Sequence, residues 1–173
     1  MTDAEKLAPW AQAVNGAATA AKVDPYQLAA LVLRESGAGW APTYWPKGGA
    51  CGWGDGATQE HPELGHGFGL FQLDRRWHAP FIASPEAQTP EGQAAYACKV
   101  LTTNRHILSM SPQHLAGAVL ERAIFAAYNA GTGPVLAAVL RGRDPDAPTA
   151  HHDYSAWIFV KASELRAAAP SMF

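Results

Sequence analysis

The strongest structural signal in the sequence is a helix with a marked start and a marked end. Asp24 is a favourable N-cap, and Pro25 suits the first helical position because its missing N–H would have no partner there. Gly37 suits the left-handed conformation that often ends a helix. The sequence therefore predicts a helix that ends near residues 35–37.

Glu35 lies in the last turn of this predicted helix, on its apolar face. Leu28, Leu31 and Val32 precede it by seven, four and three positions, which places them on the same side. Apolar surroundings and the negative end of the helix dipole both disfavour a carboxylate, so we expect a raised pKa. A carboxylic acid that stays protonated near neutral pH can act as a general acid. The alternative, which the helix pattern alone favours, is a glutamate that faces solvent or pairs with Arg34.

The rest of the chain predicts one mainly helical domain over residues 1–173. A hydrophobic fraction of 48% and a charged fraction of 16% are typical of a compact globular domain. Residues 38–67 are rich in Gly, Pro and aromatic residues, which predicts a loop with room for a short hairpin, and residues 68–74 favour an extended segment. Further helices are predicted over residues 4–22, from Pro90 to 108, from Pro112 to 130, shortly after 133, and from 154 to 168 with Asp153 as cap.

Charge and hydropathy argue against two classes of partner. The formal net charge is −2 and no cluster of Lys or Arg occurs, so we expect no binding to nucleic acid. No stretch approaches the roughly 20 apolar residues that span a bilayer, so we expect no membrane partner. The first residues lack the basic and apolar regions of a signal peptide. We therefore expect leaderless export, phage-type release, or a mature form whose leader has been removed.

The sequence alone does not decide the roles of the cysteine and histidine residues. Cys51 and Cys98 could form one disulfide bond, which would suit an oxidising compartment, or remain two core thiols. Several histidines near carboxylates raise a metal hypothesis, but their spacing matches no familiar zinc pattern, so no metal is expected. These histidines are His61, His66, His151 and His152.

Three segments after Glu35 combine closely spaced glycines with polar and aromatic side chains. Such glycines let a ligand approach the backbone, and the polar groups beside them suit a hydroxyl-rich substrate. The segments are Gly52-Trp53-Gly54-Asp55, then Gly67-Phe68-Gly69-Leu70-Phe71-Gln72-Leu73-Asp74 followed by Arg75-Arg76-Trp77-His78, and Ala127-Tyr128-Asn129-Ala130-Gly131-Thr132-Gly133.

Together with Glu35-Ser36, these segments resemble the goose-type lysozymes (glycoside hydrolase family 23), within the wider group that includes soluble lytic transglycosylases. The resemblance covers residues 24–162 and includes a further match at His151-His152-Asp153-Tyr154. It implies a mainly α, α+β lysozyme-like fold, in which a helical domain and a small extended lobe flank a cleft. It also implies a monomer without a cofactor that cleaves the β-1,4 bond between N-acetylmuramic acid and N-acetylglucosamine in peptidoglycan.

The resemblance also assigns roles to residues. Glu35 matches the catalytic acid, and Asp55 and Asp74 match two aspartates that handle the attacking water. Because an inverting hydrolase needs a second carboxylate about 6.5–9.5 Å from the acid, these aspartates favour hydrolysis. A lytic transglycosylase that gives 1,6-anhydro products and a non-catalytic glycan-binding module are the alternatives. The residues that match the substrate cleft are Phe71, Gln72, His78, Tyr128, Asn129 and Tyr154, with Phe71 and Gln72 in the segment that forms its floor.

Two loops depart from the family pattern. Residues 36–54 and 57–67 form longer segments than in the animal members, so Asp74, which adjoins the Gly-Phe-Gly-Leu-Phe-Gln segment, is better anchored than Asp55. An endolysin, a secreted wall hydrolase, an effector against rival bacteria and an antimicrobial defence lysozyme all fit such a domain. Its short length favours an endolysin or an effector.

Overall fold

The computed structural model describes residues 1–39, 65–112 and 114–173, together with the backbone of residues 53–54. These residues are mainly helical, which confirms the predicted fold class at that level. They divide into two compact units, of which the first contains Met1–Cys98 with Ala162–Phe173 and the second contains Lys99–Lys161. None of the helices in these ranges is long and apolar enough to cross a membrane.

The first unit contains short helices, a small sheet and parts of two longer helices. Its elements are α1 (Asp3–Leu7), a 3-10 turn (Ala8–Trp10), α2 (Ala11–Ala21), α3 (Pro25–Ser36), β1 (Trp53–Gly54), β2 (Gly67–Phe68), β3 (Leu73–Asp74), α4 (Arg75–Ile82), a 3-10 turn (Pro85–Gln88), the first part of α5 (Pro90–Ser109) and the last part of α8 (Tyr154–Ala168).

The single helix predicted over residues 4–22 is wrong in one respect, because a 3-10 turn divides it. Pro9 lies in that turn, where it has no N–H to donate to a continuous α-helix. Thr2 and Glu5 form a capping box that begins α1. α2 ends at Lys22, which adopts a left-handed conformation with φ of 56°.

The predicted signals of α3 are confirmed. The carboxylate of Asp24 accepts a hydrogen bond from the Tyr26 N–H at 2.9 Å, and Pro25 occupies the first turn. Gly37 ends the helix in the left-handed conformation, with φ of 58°. α3 packs against α2 and α1, which buries most of its residues in the core of the first unit.

The predicted extended segment 68–74 is partly confirmed, because a tight turn interrupts it. β1, β2 and β3 form a three-stranded antiparallel sheet in that order. Phe68 pairs with Leu73, and residues 69–72 connect the two strands. Leu70 and Phe71 in this turn are buried, so the turn points into the core instead of into solvent.

Helix α4 was not predicted. It has Pro80 in its interior and no buried residue, so it lacks the apolar stripe that marks a helix in a sequence. The backbone of His78, two residues before this proline, departs from helical geometry with φ of −119°. The helix begins at Asp74, whose carboxylate accepts a hydrogen bond from the Arg76 N–H at 2.8 Å.

The second unit contains the end of α5, then α6 (Gly117–Ala130), α7 (Thr132–Leu140), a short turn (Ala150–His152) and the first part of α8. The bounds predicted for α5 and α8 are confirmed to within about one residue. The short helix predicted after Gly133 is present as α7, but it begins earlier, at Thr132. The predicted start of α6 at residues 111–112 is wrong. The Ser111 hydroxyl donates to the Leu108 carbonyl at 2.7 Å, so it closes the preceding helix instead of opening the next.

A buried carboxylate caps the N-terminus of α8. Asp146 accepts hydrogen bonds from the N–H groups of Ser155 (2.8 Å) and Ala156 (3.0 Å), in addition to the predicted cap position at Asp153. Arg122 compensates the charge of Asp146 at 2.7 Å. Since a buried charge is costly without such partners, this network fixes the start of α8 on α6.

Cys98 is a buried free thiol in α5. Burial raises the pKa of its thiol to about 11, so the reactive thiolate is scarce at neutral pH. Cys51 lies outside the residues that the structure describes.

Candidate active site

Glu35 occupies the last turn of α3 and is half-buried. Leu28, Leu31 and Val32, which share its face, are each 0% exposed. The predicted apolar surroundings on this face are therefore confirmed. Glu35 is thus partly accessible at the end of a helix whose apolar face is buried.

Ser36 connects the end of α3 to the turn between β2 and β3. Its hydroxyl donates to the Leu70 carbonyl at 2.8 Å and accepts from the Gly39 N–H at 3.0 Å. The Leu70 N–H donates to the side-chain carbonyl of Gln93 at 2.8 Å. Both backbone polar groups of Leu70 are thus satisfied by buried side chains, as a buried turn requires. The contacts bring the segment that carries Glu35 next to the segment that leads to Asp74.

Loss of the Ser36 hydroxyl should destabilise the fold. In Ser36→Ala the buried Leu70 carbonyl loses its donor, which we expect to lower the free energy of unfolding by about 1–3 kcal/mol. Urea denaturation followed by circular dichroism measures this difference. Ser109→Ala is the matched control, because the Ser109 hydroxyl also bonds a carbonyl but in an exposed position. Equal stability of the two variants would contradict the role of Ser36.

Gly67 makes room for a side chain on the face of the small sheet that carries Asp74. Gly67 pairs with Gly54 on one side and with Asp74 on the other, so the three residues form one row across the sheet. The side chain of Gln72 lies over Gly67, where an added Cβ would stand 2.5 Å from Gln72 Oε1. The Gln72 amide nitrogen also donates to the Gly69 carbonyl at 2.7 Å. Gly67 therefore leaves the space that places Gln72 on the same face as Asp74.

The Asp74 carboxylate is held by Arg76. The Arg76 Nε donates to both carboxylate oxygens, at 3.0 and 2.9 Å, and its terminal nitrogen contacts Oδ2. The hydrogen bonds from Arg76 lower the pKa of Asp74 below its usual value, against a smaller opposing effect of burial. Asp74 is consequently ionised over the neutral range. It is a weaker base than an ordinary aspartate while Arg76 stays bonded to it.

His78 lies within electrostatic reach of Asp74. Its Nδ1 is 3.2 Å from the Tyr96 hydroxyl, and the two rings meet edge to face. Partial burial lowers the pKa of His78, and the negative charge of Asp74 opposes this effect. The imidazole of His78 is therefore neutral at pH 7. It can donate or accept one hydrogen bond but offers no positive charge to a substrate.

Phe71 is 0% exposed, so its side chain lies in the core, and its predicted contact with substrate stays a prediction. Its side chain anchors the turn 69–72 in the core, because a ring of this size gains more from burial than from exposure. Its burial fixes the backbone next to Gln72.

The second unit contains the other predicted substrate residues. Tyr128 is half-buried near the end of α6, and Asn129 is exposed beside it. The Asn129 side-chain oxygen accepts from the Ala150 N–H at 3.0 Å, which joins the segment at 127–133 to the turn before α8. Tyr154, at the start of α8, is 3% exposed, so most of its ring belongs to the core of this unit.

Two residues that shape the first unit's site were not predicted from the sequence. Gln93 is fully buried, and its amide nitrogen donates to the Ala87 carbonyl at 2.8 Å. It precedes the buried Ala97 by one helical turn, and a polar residue on an apolar helix face signals a buried partner. Arg76 is the other, and its position two residues after Asp74 gives no comparable signal.

Asp55 lies outside the residues that the structure describes, so its predicted role stays a prediction. Within the described ranges, no group of three or more His, Cys, Asp and Glu side chains is placed to hold a metal ion. Comparison with known protein families gives no match, and comparison with curated proteins gives no significant match either.

Proposed function

We propose that this protein cleaves the β-1,4 bond between N-acetylmuramic acid and N-acetylglucosamine in peptidoglycan, with Glu35 as general acid. The proposal extends to a lysozyme-like fold of the goose type, to a monomeric enzyme without a cofactor, and to action on the cell wall. It starts from the order of the sequence segments that resemble that family. The architecture of the first unit supports it.

The single observation that carries the proposal is the hydrogen bond from Ser36 to Leu70. It joins two residues that are 34 positions apart in the chain. Each lies in a segment that the sequence predicts, independently of the other, to be part of a site. One segment carries the candidate acid, and the other leads through Gln72 to Asp74. Hydrolysis needs a second carboxylate near the bond that the general acid cleaves, and this contact links the segment of the acid to the segment that leads to Asp74.

Hydrolysis divides the chemistry between these groups. Glu35 would donate its proton to the glycosidic oxygen as the bond to the anomeric carbon breaks. A water molecule would attack that carbon and lose its proton to a carboxylate, for which Asp74 and Asp55 are the candidates. Gln72, on the same sheet face as Asp74, offers an amide to sugar hydroxyls.

Clearing of purified sacculi tests the proposal against a non-catalytic binding module. We expect the protein to lower the turbidity of a sacculus suspension and to release soluble glycan fragments. A pelleting assay on the same suspension measures binding separately. Co-sedimentation of the protein with intact sacculi, without any release, would contradict catalysis and support the binding module.

A lytic transglycosylase is the second candidate, and the state of Asp74 favours it. Such an enzyme uses a hydroxyl of the sugar itself as nucleophile and needs no base for water. Arg76 occupies both oxygens of Asp74 and lowers its pKa, which weakens Asp74 as a base. Hydrolysis therefore requires that Asp74 accept a proton despite Arg76, or that Asp55 take this role.

A further inference from the structure

Trp77 is an unusually exposed aromatic residue beside the candidate active site. Its side chain is 79% exposed, the highest value among the large hydrophobic residues that the structure describes as exposed. Tryptophan is normally buried over most of its surface, because its ring contributes a large apolar area. An indole exposed at this position is available to stack on a ligand.

Helix geometry places Trp77 next to Asp74. Asp74 is the N-cap of α4 and Trp77 is its third helical residue, and side chains at these two positions lie on the same side of the first turn. His78 follows directly, and the charge of Asp74 acts on it. The indole therefore starts from the same side of the first turn of α4 as Asp74.

The surroundings of Trp77 indicate the chemistry of that ligand. α4 contributes no buried residue, and the Arg76 side chain beside Trp77 is 61% exposed while it binds Asp74. A protein partner would need a contiguous apolar patch, and the ion pair of Arg76 with Asp74 interrupts such a patch on one side of the ring. A pyranose ring has an apolar face formed by C–H groups and an edge of hydroxyls, which matches an indole bordered by charged hydrogen-bonding groups.

We propose that Trp77 is a stacking surface for a sugar ring of the glycan strand and sets the affinity of the site for it. This inference rests on the proposed function, because it takes peptidoglycan glycan as the ligand. Contact with a ring next to the cleaved bond would act equally on bound substrate and on the transition state. Loss of Trp77 should therefore raise KM and leave kcat nearly unchanged.

Binding to an inactive form tests the proposal without turnover. The probe is the peptide-free tetrasaccharide of alternating N-acetylglucosamine and N-acetylmuramic acid, titrated calorimetrically into Glu35→Gln and into Glu35→Gln with Trp77→Ala. We expect the second change to raise Kd about 3- to 10-fold, as for the loss of one aromatic contact. Trp77→Phe should retain most of the affinity. Met110→Ala, which truncates a side chain that is 69% exposed at the end of α5, should leave Kd unchanged.

The outcomes separate this proposal from the proposed function. Weaker tetrasaccharide binding in Trp77→Ala, with no cleavage by the unmodified protein, would support the stacking surface and contradict the enzyme. Cleavage by the unmodified protein with an unchanged Kd in Trp77→Ala would overturn the stacking surface and leave the enzyme intact. Absence of tetrasaccharide binding to Glu35→Gln would also overturn it. A dimer seen in sedimentation would overturn it as well, if Trp77→Ala dissociated that dimer and left the Kd for the tetrasaccharide unchanged. A second copy of the chain would then cover the ring.

Discussion

Replacement of Glu35 by Gln should lower the rate of glycan release from sacculi by about 10²- to 10⁴-fold, the usual contribution of a general acid. Glutamine keeps the shape of the side chain but has no proton to give to the glycosidic oxygen. The loss should fall on kcat, because the proton moves only as the bond breaks. Rates are measured from soluble reducing groups under saturating substrate.

The control for this change is Glu91→Gln, at an exposed position in the first turn of α5. Its activity should match that of the unmodified protein. The midpoint of thermal unfolding should stay close to the original value in Glu35→Gln, which shows that lost activity does not come from lost structure. Activity within a few-fold of normal in a folded Glu35→Gln protein would remove Glu35 from the mechanism.

Gly92→Ala should strongly destabilise the start of α5. A Cβ at this position would lie 2.0 Å from the carbonyl oxygen of Glu86, a backbone atom that cannot move without its whole turn. That carbonyl also accepts hydrogen bonds from the N–H and hydroxyl of Thr89, at 3.1 and 2.9 Å. Overpacking of this kind lowers the free energy of unfolding by about 1–3 kcal/mol or more.

Gly16→Ala is the matched control for this substitution. Gly16 lies within α2, and an added Cβ would meet nothing within 4 Å. Because alanine favours the helix over glycine, Gly16→Ala should raise the free energy of unfolding by up to about 1 kcal/mol. Each kcal/mol corresponds to about 2–4 °C in Tm for a domain of this size. A Tm of Gly92→Ala equal to or above that of the unmodified protein would show that the start of α5 does not pack as described.

The bounds of α3 were predictable from its terminal signals, whereas α4 was not predicted despite the cap at its start. Asp24, Pro25 and Gly37 act locally, so the bounds of α3 follow from residues within the helix and at its ends. α4 has a start signal in Asp74 but no buried face, and Pro80 masks its helical pattern. Its existence depends on the sheet that positions Asp74, which no local pattern reveals.

The residue types of the site were predictable from the sequence, but their burial and hydrogen-bond partners were less so. The apolar face under Glu35 follows from helical spacing, and the structure confirms it. The contact of Ser36 with Leu70 joins residues 34 positions apart, so it needed the tertiary fold. Phe71 was assigned to the substrate by family resemblance alone, and its burial follows from a turn that folds inward.

Mass spectrometry of the soluble products from purified peptidoglycan tests the central proposal most directly. We predict disaccharide-peptides with reducing N-acetylmuramic acid ends, which the Glu35→Gln protein fails to release. Products that end mainly in 1,6-anhydro-N-acetylmuramic acid would contradict hydrolysis. They would show a lytic transglycosylase in which Glu35 is still the acid. Release of peptides alone, or of no product at all, would contradict cleavage of the glycan strand.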